Sequence, residues 1–240
     1  MFQNKKAVIF DMDGTLIDSV GIWNQVDMEI LSRYGSNGAA DLTEKQVQQQ
    51  RDELLRKHKG AAKPYEEYYR DLKAKYGFTV SAEEAIKARY DLAQEMLATR
   101  IDYKPGAEEF LMALKARGFV LAIASTTKKD NMDVYRNKNK NIMSKAPIDE
   151  TFSLVYTRED VSQMKPDPEI YLKAMKTLGL EPAECLIFED SLIGAEAAKA
   201  SGAEVAVVYD KYSDDEREQI NKLADHVIDD YEQALEMLEK

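Results

Sequence analysis

Short apolar runs, most of them separated by helical patterns, are the feature that most constrains the fold of this chain. Runs of about four to eight apolar residues are typical of strands in a sheet that is covered on both faces. The predicted strands are residues 7–10, 119–124, 152–156, 185–188, 205–209 and, more weakly, 226–228. Because helical patterns separate these runs, the sequence predicts an α/β fold with a doubly wound parallel sheet.

Helical patterns with recognisable ends lie between these strands. They cover residues 104–118, 167–179 and 191–202. In the second pattern, Asp167 can cap the helix, Pro168 suits its first position, Tyr171 belongs to its apolar face and Gly179 suits its end. By contrast, the Lys/Asn-rich residues 128–147 are expected to form a helix end and a surface loop.

The segment 17–100 breaks the alternation of strands and helices, because its apolar residues recur at helical spacing and no convincing strand is present. Trp23 and Val26 belong to one such pattern, and Ser81 with Glu84 is typical of a capping box. We therefore expect two domains. They are an α/β core domain formed by residues 1–16 and 101–240, and an inserted all-helical domain of residues 17–100.

Composition and charge exclude several classes of function. The chain has 240 residues, is 44% apolar and has a net charge of -11, which disfavours general binding to nucleic acid or to an anionic membrane. Cys185 is the single cysteine, so neither a disulfide framework nor a cysteine-based zinc site is expected. The initial apolar run is too short for a signal peptide. These observations favour a soluble cytoplasmic protein, and we expect a monomer or a weak homodimer.

The segment Asp11-Met12-Asp13-Gly14-Thr15-Leu16 directly follows the first predicted strand. Open α/β sheets place their sites beyond the carboxyl ends of the strands, where Asp11 and Asp13 would both face the crevice. Gly14 would permit the tight turn that directs them there. An ordinary acidic turn explains an isolated Asp-x-Asp better, but the whole hexapeptide after a strand favours a functional site.

Three more segments follow in order, each at a strand or helix boundary. Ser125 ends a predicted strand, Lys165 precedes Pro166-Asp167-Pro168, and Glu189-Asp190 precedes an Ala-rich helix. With residues 11–19, this ordered set resembles the motifs of the haloacid dehalogenase superfamily of phosphotransferases. It is most similar to the subgroup with a helical cap that contains β-phosphoglucomutase and many small-molecule phosphatases.

The resemblance implies a role for each of these residues. Asp11 matches the nucleophile that forms an aspartyl-phosphate, and Asp13 matches the general acid and base. The Ser125 hydroxyl and the Thr126 backbone N–H would bind a phosphoryl oxygen, although Ser-Thr-Thr allows a shift of one or two residues. Lys165 would neutralise the phosphate. Taken singly, Ser125 could be a routine strand-end serine and Lys165 a solvated lysine, but the order of the motifs favours the functional roles.

The resemblance also implies a Mg²⁺ site. Its ligands would be the carboxylates of Asp11 and Asp190 and the backbone carbonyl of Asp13, with Glu189 ligating directly or through water. The alternative for Glu189-Asp190 is a helix N-cap, because Asp is a good cap before an Ala-rich helix. The other motifs favour metal binding.

These roles predict a Mg²⁺-dependent phosphatase that hydrolyses a small phosphorylated metabolite, such as a sugar phosphate or nucleotide. A β-phosphoglucomutase activity is the first alternative, but Trp23 stands where that enzyme has a histidine. A non-catalytic module that binds a phosphometabolite is the second, and the presence of both Asp11 and Asp13 disfavours it. In the helical insertion, Arg51, Arg56 and Lys59 could meet an anionic substrate, although ordinary surface charges are the favoured interpretation.

Overall fold

The computed structural model describes residues 1–58 and 62–239. The chain forms two compact units, Met1–Ser19 with Ala98–Lys240, and Val20–Leu97. The limits expected for the insertion, residues 17 and 100, each lie three positions outside the second unit. The assignment of residues 17–100 as a separate domain stays a prediction.

The first unit contains a six-stranded sheet in which every neighbouring pair of strands is parallel. The strands are β1 (Ala7–Phe10), β2 (Val120–Ala124), β3 (Leu154–Tyr156), β4 (Cys185–Glu189), β5 (Glu204–Val208) and β6 (His226–Ile228). Their order across the sheet is β3-β2-β1-β4-β5-β6. The predicted α/β fold with a doubly wound parallel sheet is confirmed.

Strand β1 occupies the centre of this sheet because it is apolar throughout and fully buried. Its last residue, Phe10, pairs with Ile123 of β2 on one side and with Phe188 of β4 on the other. The strand order reverses direction at β1, and such a reversal opens a crevice beyond the carboxyl ends of the strands. Residues that directly follow β1, β2 and β4 therefore meet at one place.

Twelve helices are described in the two units. The second unit contains α1 (Val20–Tyr34), α2 (Glu44–Lys57), α3 (Pro64–Tyr76) and α4 (Ala82–Thr99), the last of which runs two residues into the first unit. The first unit contains α5 (Ala107–Ala116), α6 (Lys129–Asn137), α7 (Lys140–Lys145), α8 (Ile148–Thr151), α9 (Glu169–Leu178), α10 (Leu192–Ala200), α11 (Arg217–Leu223) and α12 (Tyr231–Glu239). No described helix is long and apolar enough to cross a membrane.

The expectation of a helix end and a surface loop at residues 128–147 is wrong, because α6 and α7 lie there. Met132, Tyr135 and Ile142 are buried, although lysines and asparagines surround them in the sequence. The Asn139 side chain accepts a hydrogen bond from the backbone N–H of Ile142 at 3.0 Å and caps α7. The polar composition of residues 128–147 therefore favours a loop in the sequence, although two short amphipathic helices form there.

The helical unit contains charged groups within its interior. Arg89 donates to Asp27 through Nε at 2.5 Å, and its guanidinium lies 4.7 Å from the centroid of the Trp23 ring. Asp27 and Arg89 are 1% and 3% exposed. The capping box is confirmed, since Ser81 N–H donates to Glu84 and Glu84 N–H donates to the Ser81 hydroxyl.

Candidate active site

Asp11 begins the site at the point where β1 ends. Its backbone N–H donates to the carbonyl of Phe188 at 3.0 Å, which continues the pairing of β1 with β4 by one residue. The chain then turns at Gly14, whose φ of 87° lies in the left-handed region that favours glycine. Gly14 N–H donates to the Ile17 carbonyl at 3.0 Å and closes this turn.

Lys165 forms ion pairs with two carboxylates in the interior of the first unit. Its Nζ lies 2.5 Å from Asp11 Oδ1 and 2.7 Å from Glu189 Oε1. The lysine side chain is 3% exposed, so these ion pairs have little competition from water. The lysine expected to neutralise a phosphate therefore lies directly against the expected nucleophile.

Glu189 accepts hydrogen bonds at both oxygens. Oε1 accepts from Lys165 and from the Tyr171 hydroxyl at 2.6 Å, and Oε2 accepts from the Asp190 N–H at 3.1 Å and the Ser191 hydroxyl at 3.3 Å. A Cβ added to Gly194 would lie 2.0 Å from the Glu189 carboxylate carbon. The carboxylate therefore occupies the space that any larger residue at position 194 would need.

The carboxylates of Asp11, Glu189 and Asp190 form a buried acidic cluster. One oxygen from each lies within 4.8 Å of the others. The Thr15 hydroxyl donates to Asp190 Oδ1 at 2.7 Å, and Lys165 contacts Oδ1 of Asp11. Within the described residues, no hydrogen bond is given to the second oxygen of either aspartate, so each is open to another partner. Three buried carboxylates with one lysine fit a hard cation such as Mg²⁺, which prefers oxygen ligands.

The pKa shifts in this cluster follow from burial and repulsion between like charges. Burial raises the pKa of Asp11 to about 7, while Lys165 opposes the change and Glu189 adds to it. Burial, together with Glu189 and Asp11, raises the pKa of Asp190 well above its usual value. The cluster thus contains more negative charge than Lys165 compensates, and a bound cation would relieve that repulsion.

The carboxylate of Asp13 is not part of this acidic cluster and accepts hydrogen bonds from three hydroxyl groups. Ser19 Oγ and the Tyr135 hydroxyl donate to Oδ1 at 2.5 and 2.9 Å, and Thr127 Oγ1 donates to Oδ2 at 2.5 Å. Asp13 is half-buried, as is Thr127, whereas Ser19 and Tyr135 are buried. The two aspartates of the first motif therefore have different surroundings.

Ser125 and Thr126 directly follow β2. Ser125 is buried, its N–H donates to the Tyr156 carbonyl at 3.1 Å, and its hydroxyl accepts from the Thr127 N–H at 3.2 Å. Thr126 is half-buried. Among the three residues of Ser-Thr-Thr, Thr127 contacts Asp13. The phosphate-binding roles of Ser125 and Thr126 stay predictions.

Several residues of this site were missed from the sequence. The sequence indicates no separate role for Thr15 and Ser19 within the first motif, and it places Tyr171 only on the apolar face of a helix. Tyr135 lies in the segment expected to be a helix end and a loop. The sequence signal for such a residue is a tyrosine at a buried helical position, because its buried hydroxyl needs a hydrogen-bond partner.

Of the three cations that could meet an anionic substrate, the structure describes the side chain of Arg51 alone. Arg51 donates to Asp27 at 2.8 Å and its side chain is 14% exposed, so it is neither an ordinary surface charge nor unpaired. Lys59 and the side chain of Arg56 lie outside the part of the chain that the structure describes.

Comparison with known families supports the assignment made from these motifs. Residues 5–202 match the model of a family of hydrolases described as haloacid dehalogenase-like hydrolase. The chain belongs to this family. The match includes Asp11, Asp13, Lys165 and the Glu189-Asp190 pair, and it confirms the family predicted from the ordered motifs.

Individual relatives extend the comparison over most of the chain. Protein CbbY from Rhodobacter capsulatus is 31% identical over 209 residues, which cover 87% of this chain and 87% of that protein. Phosphorylated carbohydrates phosphatase from Thermotoga maritima is 28% identical over 200 residues, which cover 83% and 82%. The prediction of an enzyme of this hydrolase family is confirmed.

The fold is also similar to that of solved members of the subgroup. The crystal structure of β-phosphoglucomutase from Clostridium difficile superposes with a TM-score of 0.63 and covers 95% of this chain and 92% of that chain. At 19% sequence identity, this similarity supports the shared fold alone.

Proposed function

We propose that this chain is a Mg²⁺-dependent phosphatase that hydrolyses a small phosphate monoester, of the sugar phosphate or nucleotide class, through an aspartyl-phosphate. The observation that supports this most strongly is the contact of Asp11 with Lys165 beside the carboxylates of Glu189 and Asp190. A phosphatase among the relatives acts on phosphorylated carbohydrates by its name, which favours a sugar phosphate.

In the first half of the reaction, a carboxylate oxygen of Asp11 attacks phosphorus and the bond from phosphorus to the ester oxygen breaks. Asp13 gives its proton to the departing oxygen, which leaves as the alcohol. Lys165 places a positive charge beside Asp11, where it opposes the negative charge of the transferring phosphoryl group. The product of this half is an acyl phosphate on Asp11.

In the second half, Asp13 takes a proton from water, and the resulting hydroxide attacks the phosphorus of the acyl phosphate. The bond between phosphorus and the Asp11 oxygen breaks, which releases inorganic phosphate and restores the carboxylate. Asp13 thus alternates between acid and base. Ser125 and the N–H of Thr126 are proposed to bind a phosphoryl oxygen in both halves.

The carboxylates of Asp11 and Asp190 and the backbone carbonyl of Asp13 would hold Mg²⁺. When bound, the ion supplies positive charge against the phosphoryl oxygens. Both oxygens of Glu189 already accept hydrogen bonds from protein groups, so we propose that Glu189 orients Lys165 and would ligate Mg²⁺ through water.

Release of inorganic phosphate tests the proposal directly. We would assay 4-nitrophenyl phosphate and a panel of sugar phosphates and nucleotides, with added Mg²⁺ and with a chelator. We expect continuous turnover that requires Mg²⁺, and faster turnover of one group of sugar phosphates. Isomerisation of a glucose phosphate without net phosphate release would favour the mutase instead.

The Asp11→Asn variant provides the mechanistic control, because an amide is a poor nucleophile and should abolish turnover. Asp18→Asn is its matched partner, since Asp18 lies in the same motif but is exposed, and this variant should keep wild-type activity. Near-full activity in Asp11→Asn would refute the aspartyl-phosphate mechanism. Failure of the wild-type protein on every substrate would refute the phosphatase proposal.

A further inference from the structure

The three hydroxyl groups around Asp13 come from separate parts of the first unit. Ser19 follows the same turn as Asp13, Thr127 lies between β2 and α6, and Tyr135 lies within α6. Both carboxylate oxygens therefore accept hydrogen bonds from a segment more than a hundred residues further along the chain. The positions of the Thr127 and Tyr135 hydroxyls relative to Asp13 therefore depend on the packing of residues 125–137 and not on the turn at Gly14.

Tyr135 is the most rigidly placed of these donors. Its side chain is 1% exposed, and two neighbouring residues of α6, Met132 and Val134, are buried as well. The phenol hydroxyl is a hydrogen-bond donor, and it lies 2.9 Å from Asp13 Oδ1. A tyrosine ring on a packed helix loses little further freedom when its hydroxyl binds, unlike a rotating serine or threonine hydroxyl.

We propose that Tyr135, supported by Thr127, is a positioning residue that orients the carboxyl group of Asp13 for its proton transfers. This inference depends on the acid and base role of Asp13 in the proposed function. Tyr135 acts only through Asp13 and contacts neither the acidic cluster nor Lys165 by any described hydrogen bond. The role follows from geometry, because a general acid must point its proton at the departing oxygen within hydrogen-bond reach.

Without the Tyr135 hydroxyl, Asp13 Oδ1 keeps the Ser19 contact and Oδ2 keeps the Thr127 contact. The carboxyl group then rotates more freely about its side-chain bonds and spends less time in the productive orientation. The loss should affect substrates in proportion to their need for an acid. A sugar phosphate has an alkoxide leaving group that needs the proton, whereas 4-nitrophenolate leaves readily without it.

The test compares Tyr135→Phe with Tyr103→Phe. Tyr103 is also buried in the first unit, but its hydroxyl donates to the Ala146 carbonyl at 2.6 Å. We would measure kcat/KM, which reports the transfer to Asp11, for the best sugar phosphate and for 4-nitrophenyl phosphate. The general acid contributes about 10²–10⁴ in rate, so we expect Tyr135→Phe to lose about tenfold on the sugar phosphate and under about threefold on the aryl phosphate.

Tyr103→Phe should change both values equally and by less. In an Asp13→Asn background, Tyr135→Phe should cause no further loss, because the residue through which it acts is already disabled. An equal loss on both substrates, full activity of Tyr135→Phe, or an additive loss with Asp13→Asn would each overturn the inference while leaving the phosphatase proposal intact.

Thr127→Val provides a second variant if Tyr135→Phe does not fold. Its hydroxyl donates to the other oxygen of Asp13, so it should show the same dependence on leaving group. The absence of that dependence in Thr127→Val would overturn the inference. An inactive wild-type protein would instead refute the proposed function before either variant is compared.

Discussion

Gly194→Ala is a small substitution with a large expected effect. The added Cβ would lie 2.0 Å from the Glu189 carboxylate carbon, whereas ordinary contact begins at 3.4 Å. The carboxylate must therefore move by about 1.4 Å. A shift of that size exceeds what the 2.7 Å contact with Lys165 and the 2.6 Å contact with Tyr171 can absorb, so both hydrogen bonds should break.

The consequence reaches Asp11 through Lys165. Lys165 forms ion pairs with the carboxylates of Asp11 and Glu189. If the contact with Glu189 breaks, the Lys165 Nζ can shift away from the Asp11 oxygen. A misplacement of about 1 Å can cost about 10²-fold in rate, so we expect phosphate release to fall by about that factor. The measurement is single-turnover phosphate release at saturating Mg²⁺, with circular dichroism to establish that the protein is folded.

Helix propensity alone predicts that Gly194→Ala stabilises the protein. A loss of activity in this variant would therefore point to the steric conflict with Glu189. Position 194 lies inside α10, where alanine favours the helix over glycine by about 1 kcal/mol. In a Glu189→Ala background the steric conflict disappears, so Gly194→Ala should then raise stability and leave the residual activity unchanged. Full activity of Gly194→Ala in the wild-type background would refute the steric argument.

Three further predictions concern buried and exposed charges. Asp27→Asn leaves Arg89 buried beside a neutral amide, so we expect a loss of about 3–5 kcal/mol in urea unfolding followed by the fluorescence of the single tryptophan; a loss under about 1 kcal/mol would contradict this. The hydrogen bond from Lys57 lowers the pKa of Asp71, so Asp71→Asn should reduce stability at pH 7, by less than about 1 kcal/mol because the pair is exposed. That deficit should disappear as the pH falls below about 4 and wild-type Asp71 is protonated, and a deficit that persists once Asp71 is protonated would refute the assignment. Lys165→Met should lower phosphate release by at least about 10²-fold, and unchanged kcat would show that its charge is not needed.

The sheet could be predicted mainly because its four central strands, β1, β2, β4 and β5, are largely buried. Such strands read as continuous apolar runs, and all six predicted runs overlap an observed strand. The first turn of the site could also be predicted from the sequence, because Asp11, Asp13 and Gly14 belong to one motif. The motifs follow the same order along the chain as in the family, and this resemblance predicts that Lys165 and Asp190 belong to the same site.

The environment of each carboxylate could not be predicted in the same way. The hydrogen bond between Glu189 and Tyr171 depends on where α9 lies relative to the end of β4, which neither local spacing nor composition encodes. Tyr135 was missed for a related reason, since lysines and asparagines dominate the residues around it. These contacts become visible only when elements distant in sequence are packed together.

The central position of β1 also has a consequence for the biosynthesis of this enzyme. Ala7 pairs with Val120 and Cys185, which lie 113 and 178 positions further along the chain. At about 5–20 residues per second, the ribosome adds the second partner roughly 10 to 35 s after the first strand. The strand that precedes Asp11 can pair with β2 halfway through translation but lacks its second partner until β4 is made. A nascent chain that stops before β4 therefore contains Asp11 without Glu189 and Asp190 beside it.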